Sequence, residues 1–441
     1  MSAQSKLLVL VAVVLSAGEV AGVAAQFNRN LPAFIAIALL QGVAWAAAAA
    51  VITRGIDGRS LTILTLGTAA LLRVIALAAP IFLSDDINRY IWDGRVQAAG
   101  INPYRYVPTD PELAPLRDEM VFPNINRSNY APTIYPPVAQ LLFLLATRLG
   151  ETVFTVKLFL IATEAAGIWA LLLVLRAAGA PRNRILLYAW HPLPIWETAG
   201  SGHIDAAVVA FVALALLADI EGRRAWSGAA LAAATLVKLF PVVLAPALWR
   251  PASSNRGDWR WPAAFVAVII AAYLPYIGIG WRVLGFLPGY VAEENLASGS
   301  GFWLLDFARQ IVPVTLAAYL ALTAAVMAAL AIGALRRAAD RRSSAAWATV
   351  LATGALFFAS PHYPWYFVWL VALLTVATWW PAWWLTLAAP VLYCGAKTGH
   401  MPLWAGFAVY GGFAILCSID MARRTRPAVR FGARHGSDRA S

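Results

Sequence analysis

Charge is scarce in this chain: only 13% of its 441 residues are Asp, Glu, Lys or Arg, while 61% are apolar. With a mean hydropathy of +0.68, that excludes an ordinary water-soluble globule and leaves a chain whose solvent is largely lipid. Cysteine is scarcer still. Cys394 and Cys417 both lie in late apolar segments, which excludes a disulfide framework and a thiolate metal site. Acidic residues number 22 against 34 basic ones, and a net charge of +12 would ordinarily raise nucleic acid as a partner. The arginines, however, stand in short blocks between apolar runs and in the tail, as juxtamembrane charge does, so no nucleic-acid surface is read. Also missing are a soluble domain, a low-complexity linker and a clear internal repeat.

What is present is a series of apolar runs. Those long enough to span occur at about 7–25, 32–52, 61–83, 153–175, 203–219, 261–281, 311–335 and 403–420, since roughly 20 residues cross the hydrocarbon. Shorter or proline-broken runs lie at 135–149, 185–200, 226–249, 346–360, 363–379 and 383–397. The expectation is an all-α polytopic membrane protein of about 12–13 transmembrane helices. Residues 1–420 would form one membrane domain and 421–441 a basic cytoplasmic tail. The first run also has the features of a signal peptide, with Lys6, an apolar stretch and small residues at Ala21–Ala25. Orientation works with it retained, so it reads as an uncleaved first helix.

The basic loops set that orientation: Arg54 and Arg59, Arg176 to Arg184, Arg223 and Arg224, Arg250 to Arg260, Arg336 to Arg342, and the tail from Arg423 belong on the cytoplasmic side. The loops 84–134 and 282–310 and the connections near His203, His362 and His400 then face outward. One parity problem follows. A full crossing by 135–149 would turn Arg176–Arg184 outward, so that segment is expected to be re-entrant or interfacial. Pro241 breaks 226–249 just after Lys238, and Pro192 and Pro194 break 185–200; broken helices at membrane depth point to a polar cavity.

The stretch "LSDDINRYIWDGRVQAAGINPYRYVPTD" puts Asp85 and Asp86 where an apolar segment ends. Asp86, Arg89, Tyr90 and Asp93 stand at i, i+3, i+4 and i+7, one face of a helix that Gly100 would end. A solvated interfacial helix anchored by Trp92 explains the spacing, but carboxylates at a membrane boundary can also reach both water and lipid headgroup. His203 and Asp205 open an apolar segment beside the Gly200–Gly202 turn, with Glu197 and His191 close by in sequence. Asp205 alone reads as a helix cap. Lys238 is the least ordinary residue, an ammonium among apolar neighbours. Such a group costs roughly 3 kcal/mol on insertion scales, so it faces a cavity, a partner or an anion, unless it snorkels. Its natural ligand is a phosphate. "HYPWYFVW" carries His362, set between Pro361 and Pro364, which fix its backbone, with Trp365 and Tyr366 following; an aromatic belt accounts for the rings but not for the histidine. Glu293, Glu294, Lys397 and His400 read as solvated loop groups.

Five motifs in order, the Asp-Asp loop with "GINPY", "YAPTIYPPVAQLLF", "GHIDA", "VKLFPVVLAP" and "HYPWYFVW", resemble the bacterial membrane mannosyltransferase-like branch of the GT-C glycosyltransferase superfamily over roughly 80–420. The resemblance implies a multi-spanning enzyme of the bacterial cytoplasmic membrane, with its active site facing outward. It would transfer one sugar from a polyprenyl-phosphate-sugar to a lipid or glycan acceptor, mannose being the sugar it suggests. The catalytic carboxylate is expected in the first outer loop. The family's Asp-x-x-x-Tyr pattern fits Asp86 with Tyr90 better than Asp85, leaving both as candidates for the base. A lipid phosphate is already a good leaving group, so one carboxylate for the acceptor proton and one cationic phosphate site suffice. Lys238, His362, Arg89 and Arg95 are the phosphate candidates. His203, Asp205, Tyr90, Tyr104, Trp365 and Tyr366 are the candidates for sugar or acceptor. No cofactor is needed; a divalent ion on Asp85, Asp86 and His203 is conceivable, and nothing in the spacing demands it. The competing reading is a polyprenyl-linked glycan flippase or transporter, for which broken helices and an intramembrane lysine are equally natural, though its site should lie near the midplane.

Overall fold

The computed structural model describes residues 3–54, 58–250, 258–337, 343–396 and 401–425. Arg256, Arg341, Arg342, Lys397, His400 and the tail from 426 lie outside the described residues. Among the described residues every regular element is helical. Seven helices among them are long and apolar enough to cross a membrane, so the chain is an all-α polytopic membrane protein as the hydropathy predicts.

Helices α1 (Ala3–Phe27), α2 (Leu31–Ile52) and α3 (Arg59–Leu77) pack together at the start of the chain. Asn30 caps α2 by accepting from the Ala33 amide at 3.1 Å, and Pro32 occupies the first turn, where a missing N–H costs nothing. The expected span 61–83 stops at Leu77, before Pro80. Helix α4 (Asp86–Ala98) follows, with Asp86 in its first turn, Arg95 in its last and Gly100 beyond it at φ 75°, each where the helix dipole and a left-handed cap favour it.

Helix α5 (Pro137–Leu149) lies along α4. Its 13 residues reach about 20 Å, too short for the hydrocarbon. Both of its ends stay with α4: Pro136 borders the site described below, and Arg148 reaches the Ala98 carbonyl. Gly94 makes the close approach possible, because a Cβ there would stand 2.5 Å from the Phe143 carbonyl oxygen. Helix α6 (Val153–Ala177), capped by Thr152, then packs along the helix Asp205–Ile220.

Prolines shape the rest. Pro192 and Pro194 precede a π-helical turn over Ile195–Gly200, and Pro241 sits in a 3-10 segment, Phe240–Leu244. The chain from Arg224 climbs to Lys238 and returns to Arg250, and both arginines bind Asp219. Lys238 is therefore at the apex of a broken hairpin. Arg224 also pairs with Asp258, and Arg250 donates to Ser344 at 2.7 Å, so these predicted cytoplasmic arginines knit helix ends together away from the site.

Candidate active site

A cavity of about 770 Å³ is bordered by five stretches: 83–86, 126–136, 237–240, 287–302 and 359–366. Each enters at the end of a helix or at a break in one. Residues 83–86 lead into α4, whose first residue is Asp86, 237–240 form the apex before Pro241, and 359–366 cover the turn between Ser343–Ala359 and the segment starting at Pro364. Three of the four non-glycine residues with positive φ among the described residues, Arg127, Asn295 and Ser360, lie on these bordering stretches. Such backbone conformations are held only where surrounding contacts fix them.

Asp86 has both carboxylate oxygens engaged. The Asn126 amide donates to Oδ1 at 2.8 Å, and the Tyr135 hydroxyl donates to Oδ2 at 3.2 Å. The same Asn126 nitrogen donates to Asp85 Oδ1 at 2.9 Å, so one side-chain amide bridges the two aspartates. Tyr135 is buried edge-on against Tyr90 and Phe143, which fixes its hydroxyl at the carboxylate. Asp85 is exposed at the cavity mouth, yet partial desolvation pushes its carboxyl up; the Asn126 hydrogen bond opposes this and the neighbouring Asp86 adds to it.

Lys238 Nζ lies 2.5 Å from Asp205 Oδ2 and 5.1 Å from the centre of the Tyr366 ring. Asp205 is buried, with its other oxygen unpartnered. Behind the aromatic wall, His203 Nδ1 meets Glu197 at 2.9 Å, and Tyr393 donates to the same carboxylate at 2.8 Å. The His203 ring lies 4.2 Å from that of Trp365, centre to centre, and its Nε2 is buried without a partner.

Of the residues expected from the sequence, Asp85, Asp86, Lys238, His362, Trp365 and Tyr366 meet at this one cavity. Asp205 and His203 stand directly behind it, on Lys238 and Trp365. Four others do not border it. Arg89 is buried and bound to Asp93 at 2.9 Å and to the Ala131 carbonyl, and it borders only a small adjoining pocket that it shares with Asp86. Arg95 is bound by Asp118, Glu151 and the Leu116 carbonyl. Tyr90 is stacked on Phe143, and Tyr104 donates to the Tyr135 carbonyl at 2.8 Å. Among the described residues no three His, Cys, Asp or Glu side chains form a metal-binding group, so Asp85, Asp86 and His203 are not one ligand set.

Sequence reasoning missed Asn126, Arg127, Tyr135 and Tyr290, and took Glu293 and Glu294 for solvated loop groups. Arg127 Nη2 pairs with Glu293 at 2.6 Å, tying the loop 84–134 to the loop 282–310. Glu294 borders the cavity beside it, its carboxyl raised by burial, with Arg127 opposing and Glu293 adding. Tyr135 lay within a quoted motif, so a polar residue between apolar ones just before Pro136 was the available signal; for Asn126 and Arg127 there was none.

The arrangement supplies one hydrogen-bonded carboxylate to accept a proton, one ammonium for an anion, and ring faces for a pyranose or an isoprenoid. Residues 133–361 match the family model described as Glycosyltransferase family 87. The matched span contains Lys238, Tyr290 and Glu293; Asp86 and His362 fall outside it. No curated protein matches the chain.

Proposed function

The chain belongs to glycosyltransferase family 87, and from that membership we propose that it is an inverting hexosyltransferase of the bacterial cytoplasmic membrane, using a polyprenyl-phosphate-sugar as donor. The sugar is mannose, following the motif resemblance, and the acceptor is a lipid or glycan reached from the outer face. The observation that carries this reading is a single cavity bordered by both Asp86 and Lys238.

The acceptor hydroxyl attacks the anomeric carbon, and the new glycosidic C–O bond forms as the bond to the phosphate oxygen breaks. The departing phosphate keeps the electron pair, and the hydroxyl proton passes to Asp86. A hydroxyl is a poor nucleophile, so the base is needed; a phosphate is a good leaving group, so cations at Lys238 and His362 suffice for its developing charge. Asn126 and Tyr135 aim the Asp86 carboxylate. That favours Asp86 over Asp85, whose side chain Asn126 holds without a phenol. Trp365 and Tyr366 offer ring faces to the sugar or the lipid.

The test is sugar transfer in proteoliposomes with a panel of labelled polyprenyl-phosphate-sugars, with the anomeric configuration of the product read out. A product of inverted configuration from one donor is expected. Movement of the lipid across the bilayer with no new glycosidic bond would overturn the reading in favour of a flippase.

A further inference from the structure

The wall of the cavity carries more acid than base: Asp85, Asp86, Glu293 and Glu294 face Arg127, Lys238 and His362. Lys238 can meet a phosphate with an N–H it does not spend on Asp205, but a guanidinium contact to the same phosphate requires Arg127 to give up the carboxylate it already holds. Lys238 and Arg127 differ in how easily they release a carboxylate. Asp205, the partner of Lys238, has a side chain 1% exposed, and withdrawing the ammonium would strand a buried charge. Glu293, the partner of Arg127, is 33% exposed and Arg127 24%, so this pair is screened by water and either side chain can turn to solvent.

The pair is also built unevenly. Arg127 Nε and Nη2 both converge on Oε1 of Glu293, at 2.7 and 2.6 Å, while Oε2 takes only a long 3.4 Å bond from Tyr130. A guanidinium fork is better used by two oxygens side by side, as a phosphate presents them. Arg127 follows directly on Asn126, which holds Asp86, so whatever Arg127 binds is delivered next to the carboxylate.

Building on the proposed donor, we infer that Arg127 exchanges Glu293 for the phosphate of a lipid-linked ligand. Glu293 holds the place that the phosphate takes. The exchange releases the ion pair between loops 84–134 and 282–310 as the ligand is bound, which couples occupancy to a loosening of the two loops.

The test is equilibrium binding of undecaprenyl phosphate to the full-length protein in nanodiscs, with uncharged undecaprenol and inorganic phosphate as parallel probes. Removing the competitor in Glu293→Gln should tighten undecaprenyl phosphate binding several-fold. Arg127→Gln should weaken it about tenfold, the scale of one charge-assisted hydrogen bond. Undecaprenol should bind all three proteins alike. If the pair is only a latch, both substitutions break it and both weaken binding, and that result would overturn the exchange. So would unchanged affinity in Glu293→Gln, a variant that decides the matter even if Arg127→Gln fails to fold. The same ordering of variants with inorganic phosphate at equal concentration would overturn the lipid assignment. Binding needs no turnover: a protein that binds in the expected order but transfers no sugar refutes the transferase reading and leaves the exchange standing.

Discussion

Asp86 and Asp93 lie seven residues apart on α4, and the protein uses them in opposite ways. Asp93 is 1% exposed, with one oxygen on Arg89 Nε at 2.9 Å and the other on the Gln140 amide at 3.0 Å. Asp86 is only half-buried, held by two neutral donors at the edge of a 770 Å³ cavity. A buried carboxylate paired with a guanidinium is a strut; one held by an amide and a phenol at the edge of a cavity stays within reach of a ligand. Two carboxylates about two turns apart on one helix thus divide between holding the first loop together and facing the ligand.

The comparison breaks most sharply under isosteric amide substitution. In Asp93→Asn the Arg89 guanidinium is left buried without its counter-ion, at a cost of about 3–5 kcal/mol. Denaturation in detergent should show that loss, with the activity of the molecules that remain folded preserved. Asp86→Asn should leave the melting transition in place and lower the transfer rate by at least ~100-fold, the usual contribution of a general base.

Tyr135→Phe sharpens the comparison by removing one hydrogen bond to Asp86 and nothing from Asp93. The transfer rate should fall about tenfold, the value of a hydrogen bond to a charged group. A structural role alone would instead lower the melting temperature with the rate per folded molecule unchanged.

Asp85 gives a smaller effect, in the opposite direction to most acids. Its carboxyl is raised by partial desolvation, against Asn126 and with Asp86, so the fold favours the protonated form. The stability it contributes is present in acid and is lost as pH rises through the raised value. Thermal unfolding followed across mildly acidic to neutral pH should lose that component in Asp85→Asn, with the transfer rate changed by less than about threefold if Asp86 is the base.

The smallest effect belongs to Asp118. Burial would raise its carboxyl, but Arg95 and the Val121 and Phe122 amides outweigh it and bring it down to about 2. The stabilisation is present above the ordinary aspartate range and is lost as pH falls toward about 2. Because the pair is partly exposed, Asp118→Asn should cost under about 1 kcal/mol and leave transfer untouched.

Much of the architecture was legible in the sequence because lipid imposes one rule on every spanning segment. The long helices, the break at Pro241 and the end of α4 before Gly100 all follow from apolar length and backbone chemistry. Lys238 and His362 stood out because an isolated polar group in an apolar run needs a destination. What stayed hidden was pairing at a distance. Spacing on α4 made Arg89 and Arg95 look available, yet their partners include Glu151, 56 residues from Arg95, and the Ala131 carbonyl, 42 from Arg89. Likewise nothing local to Asn126 or Glu293 says that one clamps two aspartates and the other meets Arg127 across 166 residues. Loop residues are placed by tertiary contacts that no periodicity records.

The most direct measurement is the transfer rate per folded molecule of Asp86→Asn and Asp93→Asn in the same proteoliposome preparation, with folded fraction determined alongside. The account predicts that Asp86→Asn is folded and inactive, and that Asp93→Asn is unstable but active in proportion to its folded fraction. A folded Asp86→Asn protein that transfers sugar at the wild-type rate would contradict it.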